Sequence, residues 1–298
     1  MQLHDKTLQA RERATMREAW TAFWQDPTSG TGCLRGAPDI TQALRGHWPA
    51  FAGSLGEGAR VLDLGCGVGA AAHALMAARN DLHVTGIDFA RLPPASGARI
   101  KLLSDVAMEQ LPFEDGIFDA AISQFGFEYS RMHKSTYQMA RVLAPGGRFS
   151  LIVHHAESSV VATNRASLNA LLAIQEMDMR EAFLAGNAFV LSTKLSSLQR
   201  AHPSHALVQE LSRSLPMRAR QGGAKGAAWS AVEEALAQER AILEALDGSC
   251  VAPEEFDGWL GPLRQHFAIE SVSILRKPNG IPIAWRIGGR RTAPHGRE

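Results

Sequence analysis

From Ala59 to Val153 short apolar runs alternate with helical stretches, a pattern that predicts βαβ units laid into a parallel sheet. ARVLDL (59–64) predicts a first strand and Ala70 to Arg79 an alanine-rich helix. HVTGID (83–88), RIKLLS (99–104) and IFDAAIS (117–123) predict strands two to four. A helix is expected from Met132 to Leu143, where Pro145, Gly146 and Gly147 turn the chain into a fifth strand, RFSLIVH (148–154). Beyond it the period becomes helical: Leu191, Leu195 and Leu198 share one such spacing and Leu207, Leu211 and Leu215 another. Breaks fall at Gly186, Pro203, Pro216 and Gly222–Gly223, and Ser230 with Glu233 has the form of a capping box opening a helix to Leu246. FAIESVSILR (267–276), a turn at Pro278–Asn279–Gly280 and IPIAWRI (281–287) predict a closing β-hairpin.

The chain therefore divides into an N-terminal helical cap (1–58), an α/β core (59–155), a helical insertion (156–247) and a segment completing the core (248–298). An insertion after a strand's carboxyl end stands on the face where open α/β sheets bind ligands, so it is expected to be a lid over an acceptor, with a homodimerisation scaffold as the alternative. In the cap, Trp20, Phe23 and Trp24 share one helix face, with Trp48 and Phe51 beyond a small-residue turn, TSGTGCLRG (28–36). Those aromatics either pack on the sheet edge or form a lid for an apolar or aromatic acceptor.

Composition narrows the classes. With 298 residues and 45% hydrophobic content the chain can bury a real core. A net charge of +1 gives no electrostatic reason to expect nucleic acid as partner. Arg286, Arg290, Arg291 and Arg297 read as a solvated, frayed terminus rather than a phosphate-tracking patch. The three cysteines, Cys33, Cys66 and Cys250, form no CxxC pair, so neither a disulfide framework nor a metal site is expected, which favours a reducing compartment. The first twenty residues are charged throughout, unlike a signal peptide, and no apolar run approaches the roughly 18 residues that span a bilayer. A cytoplasmic protein is expected.

The chemistry-bearing stretch is VLDLGCGVGA (61–70), where Gly65, Gly67 and Gly69 turn a strand into a helix. Such glycines let a ligand approach bare backbone and face free helix amides, although a ligand-free tight turn can carry the same pattern. Asp63 sits inside the strand, where a carboxylate needs a partner that a cationic ligand group would supply. Asp88, 25 residues further on at the end of the second strand, can take both ribose hydroxyls or serve as a turn acid.

With these residues in place, four blocks in order resemble class I S-adenosylmethionine-dependent methyltransferases, in the branch that includes ubiquinone and menaquinone C-methyltransferases. The blocks are VLDLGCGVG (61–69), GIDFA (86–90), SDVAMEQLPFEDGIFDAAISQFGFEY (104–129) and RVLAPGGRFSLIV (141–153), within about a third of the chain. The resemblance implies a Rossmann-like, seven-stranded, mostly parallel sheet with helices on both faces, and S-adenosylmethionine as cofactor. It implies that Gly65, Gly67 and Gly69 line the methionine part, with Asp63 near its amino group and Cys66 contributing backbone. Asp88 is implied at the ribose, Phe89 against the adenine, Asp105 at the adenine amino group with Val106 and Ala107 alongside, and Gln124 near the methionine carboxylate and methyl group. SQFGFEY (123–129) replaces the Asn-Pro-Pro-Tyr type motif, which argues against adenine or glutamine amide nitrogens as acceptors, and the Pro-Cys arrangement of RNA cytosine C5 enzymes is absent.

The implied reaction is in-line methyl transfer to a small apolar or aromatic acceptor through oxygen, carbon or nitrogen. His154 and His155, at the end of the fifth strand, are candidate bases that strand alternation sends to opposite faces, with Glu128 and Tyr129 as rivals. Cys33 is read as an incidental thiol rather than a reactive one. Two other functions fit less of the pattern: a non-catalytic binding protein of the same fold, and an NAD-dependent oxidoreductase, which would leave Asp63 and Asp105 unexplained.

Overall fold

The computed structural model describes residues 2–26, 38–94, 100–203 and 205–292. Cys33, the turn 28–36 and Arg297 lie outside the described residues. The chain forms two compact units, Met1–Ala162 with Gly248–Glu298 and, separately, Thr163–Asp247.

The first unit is built on β1 (Arg60–Leu64), β2 (His83–Ile87), β3 (Ile100–Leu103), β4 (Phe118–Gln124), β5 (Leu143–His154), β6 (Phe267–Arg276) and β7 (Pro282–Arg291). They form one sheet in the order β3-β2-β1-β4-β5-β7-β6. The first five strands are parallel, and β7 enters antiparallel between β5 and β6. Strand alternation sorts the apolar side chains onto two faces. Leu62, Leu64, Ala121, Leu151 and Val153 pack on one side with Met139 and Val142 of α4 (Met132–Val142) and Leu260 and Leu263 of α10 (Phe256–Arg264). Val61, Ala120, Ile122 and Ile152 pack on the other with Trp48 and Ala52 of α2 (Pro38–Gly53) and Ala72 and Leu75 of α3 (Ala70–Ala78). The N-terminal helix α1 spans Gln2–Gln25.

Two expectations are corrected. Arg286, Arg290 and Arg291 are not in a frayed tail: β7 runs to Arg291, and they bond to Ser273, Glu270 and the Leu143 carbonyl. Pairing of Arg290 with Arg148 across β5 carries the ladder past the predicted end. Nor does Ser230 open its helix, because α9 (Lys225–Ser249) starts two residues after Gly223, whose φ of 124° breaks the preceding chain. Trp229, in that helix's first turns, is buried in the core formed by the neighbouring helices.

In the second unit, α6 (Arg180–Leu184), α7 (Ala188–Ala201), α8 (Ala206–Arg220) and α9 enclose a core of their own. Phe183, Leu191, Leu195, Leu198, Leu211 and Leu215 fill it, so both leucine ladders read from the sequence face inward. The helix α5 (Ser159–Glu176) runs from the first unit into the second. No helix among the described residues is long and apolar enough to cross a membrane.

Candidate cofactor and acceptor site

The strand β1 runs into three glycines that all adopt left-handed backbone: φ is 67° at Gly65, 50° at Gly67 and 83° at Gly69. Only glycine takes these angles without strain, which is why the turn is built from them. Space is short as well: a Cβ on Gly65 would lie 2.8 Å from Met108 Cε and 3.0 Å from Gly126 Cα. The loop is tied to the end of β2 by two amides. Cys66 donates to the Ile87 carbonyl (2.9 Å), and Gly67 donates to Asp88 Oδ2 (2.8 Å). Asp88 Oδ1 accepts from the Ala90 amide (2.8 Å). Burial raises the Asp88 carboxyl above its ordinary range, with the Ala90 and Gly67 amides drawing it partly back.

Above this loop lies a cavity of about 200 Å³. It sits beyond the carboxyl ends of β1, β2 and β4, where the strand order switches direction and open α/β sheets bind their ligands. Gly65, Asp88 and Phe89 form its floor, and Met108 and Glu109 one wall. Phe125, Gly126 and Tyr129 follow β4 into another wall, while Trp20 and Trp24 of α1 form the roof with Arg13 and Met16. Phe125 is held at φ 56°, costly for a bulky residue, by its amide's bond to the Ile152 carbonyl (2.8 Å). Trp20 meets Tyr129 edge-on (5.5 Å between ring centroids) and stacks with Trp24 (6.3 Å).

The expected site residues divide into those at the cavity and those behind it. Gly65, Asp88 and Phe89 line it. Cys66 is buried beneath, its thiol pushed well above the ordinary value by burial, with Asp63 and Asp88 adding to the effect. Asp63 is 1% exposed, and neither carboxylate oxygen has a hydrogen-bond partner among the described residues. Burial pushes its carboxyl up to about 7; the Ala72 amide offsets part of that rise without reaching hydrogen-bonding geometry. Asp105 stands off the cavity wall in ion pairs with Arg91 (3.5 Å) and Arg17 (3.8 Å). Val106 donates its amide to the Asp88 carbonyl (2.9 Å), and the Ala107 carbonyl accepts from Gln110 (3.0 Å). Gln124 Oε1 accepts from the indole of Trp48 (2.8 Å).

The two histidines do point apart. His155 stacks on Trp285 (4.6 Å), and its Nδ1 accepts from the Glu157 amide (3.1 Å). Burial lowers its pKa below the ordinary histidine range. His154 is fully buried behind the cavity wall, under Phe125 (4.2 Å between centroids) and edge-on to Tyr129 (6.1 Å). Its Nδ1 lies 2.7 Å from Glu128 Oε1, which also accepts the His154 amide (2.9 Å). Of the rivals, Glu128 is thus the partner of His154, and Tyr129 lines the cavity.

Sequence reasoning did not single out Arg13, Met16, Met108, Glu109, Phe125 or Gly126 at the cavity. Phe125 and Gly126 directly follow a strand's carboxyl end, a position that could have marked them. Arg13 and Met16 lie seven and four residues before Trp20, on the same helix face. Glu109 joins these parts, accepting from Arg13 (3.1 Å) and from the Arg131 amide (3.1 Å). Burial alone would raise its carboxyl, yet those contacts hold it below the ordinary value.

The family described as "Methyltransferase domain" matches residues 62–151, the stretch from β1 through most of β5. The strand order and the glycine turn are those of the class I methyltransferase fold, and the family match falls on the stretch that carries them. Among characterised sequences it is similar to the demethylmenaquinone methyltransferase of Thermus thermophilus, at 37% identity over 102 residues. That stretch is 31% of this chain and 46% of the relative, so the match spans less than half of the relative's length. Among solved structures it is similar to 1,6-didemethyltoxoflavin-N1-methyltransferase of Burkholderia thailandensis, with a TM-score of 0.50 at 13% identity, covering 94% of this chain and 88% of that one.

Proposed function

We propose that this protein transfers a methyl group from S-adenosylmethionine to a small apolar or aromatic acceptor. The observation that carries the reading is the cavity at the strand switch point, floored by bare Gly65 backbone and the Asp88 carboxylate and walled by aromatic rings. The floor fits an adenosyl ligand, since a Cβ on Gly65 would clash and Asp88 keeps lone pairs free at the cavity surface. When bound, the cofactor supplies a methyl group on a sulfonium, which leaves an uncharged thioether behind.

In this reading Gly65 and Gly67, with the Cys66 backbone, hold the methionine part, while Gly69 shapes the turn into α3. Asp88 takes the ribose hydroxyls, Phe89 stacks on the adenine, and Asp105 with Val106 and Ala107 meets its edge. Gln124, held by Trp48, faces the methionine end, and Asp63 lies beneath the loop as the counter-charge for its ammonium. Phe125 and Tyr129 seat an apolar or aromatic acceptor and keep water from it. Exclusion suits a step in which charge is lost, and holding the reacting atoms about 3–3.5 Å apart supplies much of the rate. Where the acceptor must give up a proton, His154 is the nearer of the two histidines, its ring held by Glu128 through Nδ1 behind Phe125 and Tyr129, and transfer to it requires those side chains to open a path from the cavity. The reported relatives are methyltransferases, and the dinucleotide oxidoreductase reading is set aside.

Methyl-labelled S-adenosylmethionine, incubated with the protein and a fractionated cell extract, tests the activity and the acceptor class together. Label is expected in small, organic-extractable product. Label in macromolecules would overturn the acceptor class, and no transfer into any fraction would leave the binding-protein alternative.

A further inference from the structure

One face of α1 is laid along the contacts that the proposed function gives to the cofactor, and the inference drawn here rests on that reading. Positions 13, 17, 20 and 24 recur at three- and four-residue spacing, so they share one side of the helix. Arg13 places its guanidinium 5.2 Å above the ring of Phe89, the residue proposed to stack on adenine. Arg17 pairs with Asp105, the acid proposed for the adenine edge. Trp24 lies on Gly67, its ring atoms 2.5 Å from where a Cβ would stand. The bare backbone at the methionine end is therefore covered by an indole. The latch is completed by Arg13 on Glu109 (3.1 Å) and by the Arg91 amide on Thr21 Oγ1 (3.0 Å).

We propose that α1 competes with the cofactor for these contacts, so that the free protein is self-occluded and the helix is displaced when the cofactor binds. The cavity left under α1, about 200 Å³, is smaller than the roughly 300 Å³ at which small-molecule pockets begin. An adenosyl ligand needs Phe89, Asp105 and Gly67 at once, and all three are in use. The ties that hold the helix are individually weak. Arg17 and Asp105 are both more than a third exposed, and exposed ion pairs contribute little, so a ligand offering stronger contacts can replace them.

The test compares S-adenosylhomocysteine binding to the full chain and to the double variant Arg17→Ala, Trp24→Ala by calorimetry. Removing the competing contacts is expected to tighten binding by roughly tenfold, because apparent affinity is reduced by the fraction of molecules held closed. Equal or weaker binding by the folded variant would overturn the proposal and make α1 a roof that the cofactor needs. Should the variant not fold, hydrogen exchange of the wild-type chain decides. Faster exchange of amides 13–24 on adding S-adenosylhomocysteine supports displacement, and slower or unchanged exchange refutes it. Absence of binding to wild type and variant alike would instead refute the cofactor reading itself.

Discussion

A carboxyl buried at 1% exposure with neither oxygen hydrogen-bonded among the described residues, as at Asp63, resists ionisation through the cost of desolvating charge unless a cation stands beside it. Its folded-state pKa of about 7 lies above the ordinary 3.8, so between those values the folded chain holds a proton that the unfolded chain releases. The contribution to stability is therefore fully present below about pH 4, declines as pH rises toward 7 and is gone above it. Three pH units correspond to about 4 kcal/mol. Asp63→Asn is expected to remove this slope, measured as the difference between wild-type and variant urea unfolding at pH 5 and pH 8. At Gly65 the strain is geometric. Gly65→Ala is expected to cost about 1–3 kcal/mol, since it adds a Cβ at φ 67° against Met108 and Gly126, and a shifted denaturation midpoint would report it. Asp63 stood out in the sequence because a carboxylate is unfavourable inside an ordinary strand, and Gly65 because glycine repeats at every second position of the turn that follows. That Asp105 would pair with Arg17 was not legible, because ion pairing across 88 residues of chain leaves no local pattern.

At the scale of elements, hydrophobic alternation foretold the strands of the α/β core to within a few residues, because each buries a defined face. The pattern failed where tertiary contacts outrank local propensity. The strand β7 continues through Gly288, Gly289 and the arginines, residues that carry no apolar alternation, because pairing with β5 and β6 satisfies their backbone. Glycine is needed there: a Cβ on Gly289 would stand 2.2 Å from the Ala268 carbonyl oxygen and 2.8 Å from the Phe149 ring. Gly289→Ala is accordingly expected to destabilise the first unit by roughly 1–3 kcal/mol, with faster exchange of the β6 and β7 amides as the readout. The buried pair Glu128–His154 is another product of elements meeting, a 3-10 turn after β4 and the end of β5. If His154 accepts the substrate's proton, Glu128→Gln should shift the acidic limb of the pH–rate profile; an unmoved limb with an unchanged rate would leave the pair a structural tie.

For the whole molecule, the two units have separate cores, and truncating one should be felt within it. Leu195→Ala is expected to cost about 2–5 kcal/mol in Thr163–Asp247, seen as faster exchange across α7 and α8 while β1 to β5 keep their protection. The change of period after the fifth strand falls close to the division at Thr163, whereas the aromatic side chains that line the cavity come from several elements and share no local pattern. The account depends most on the cavity over the glycine loop being an adenosyl site anchored by Asp88. Calorimetric titration with S-adenosylhomocysteine tests that most directly, using wild type and Asp88→Ala. Saturable one-to-one binding, weakened by about tenfold or more in the variant, is the result expected from losing charge-assisted hydrogen bonds. No binding by folded wild-type protein at millimolar ligand, or equal affinity in the variant, would contradict it.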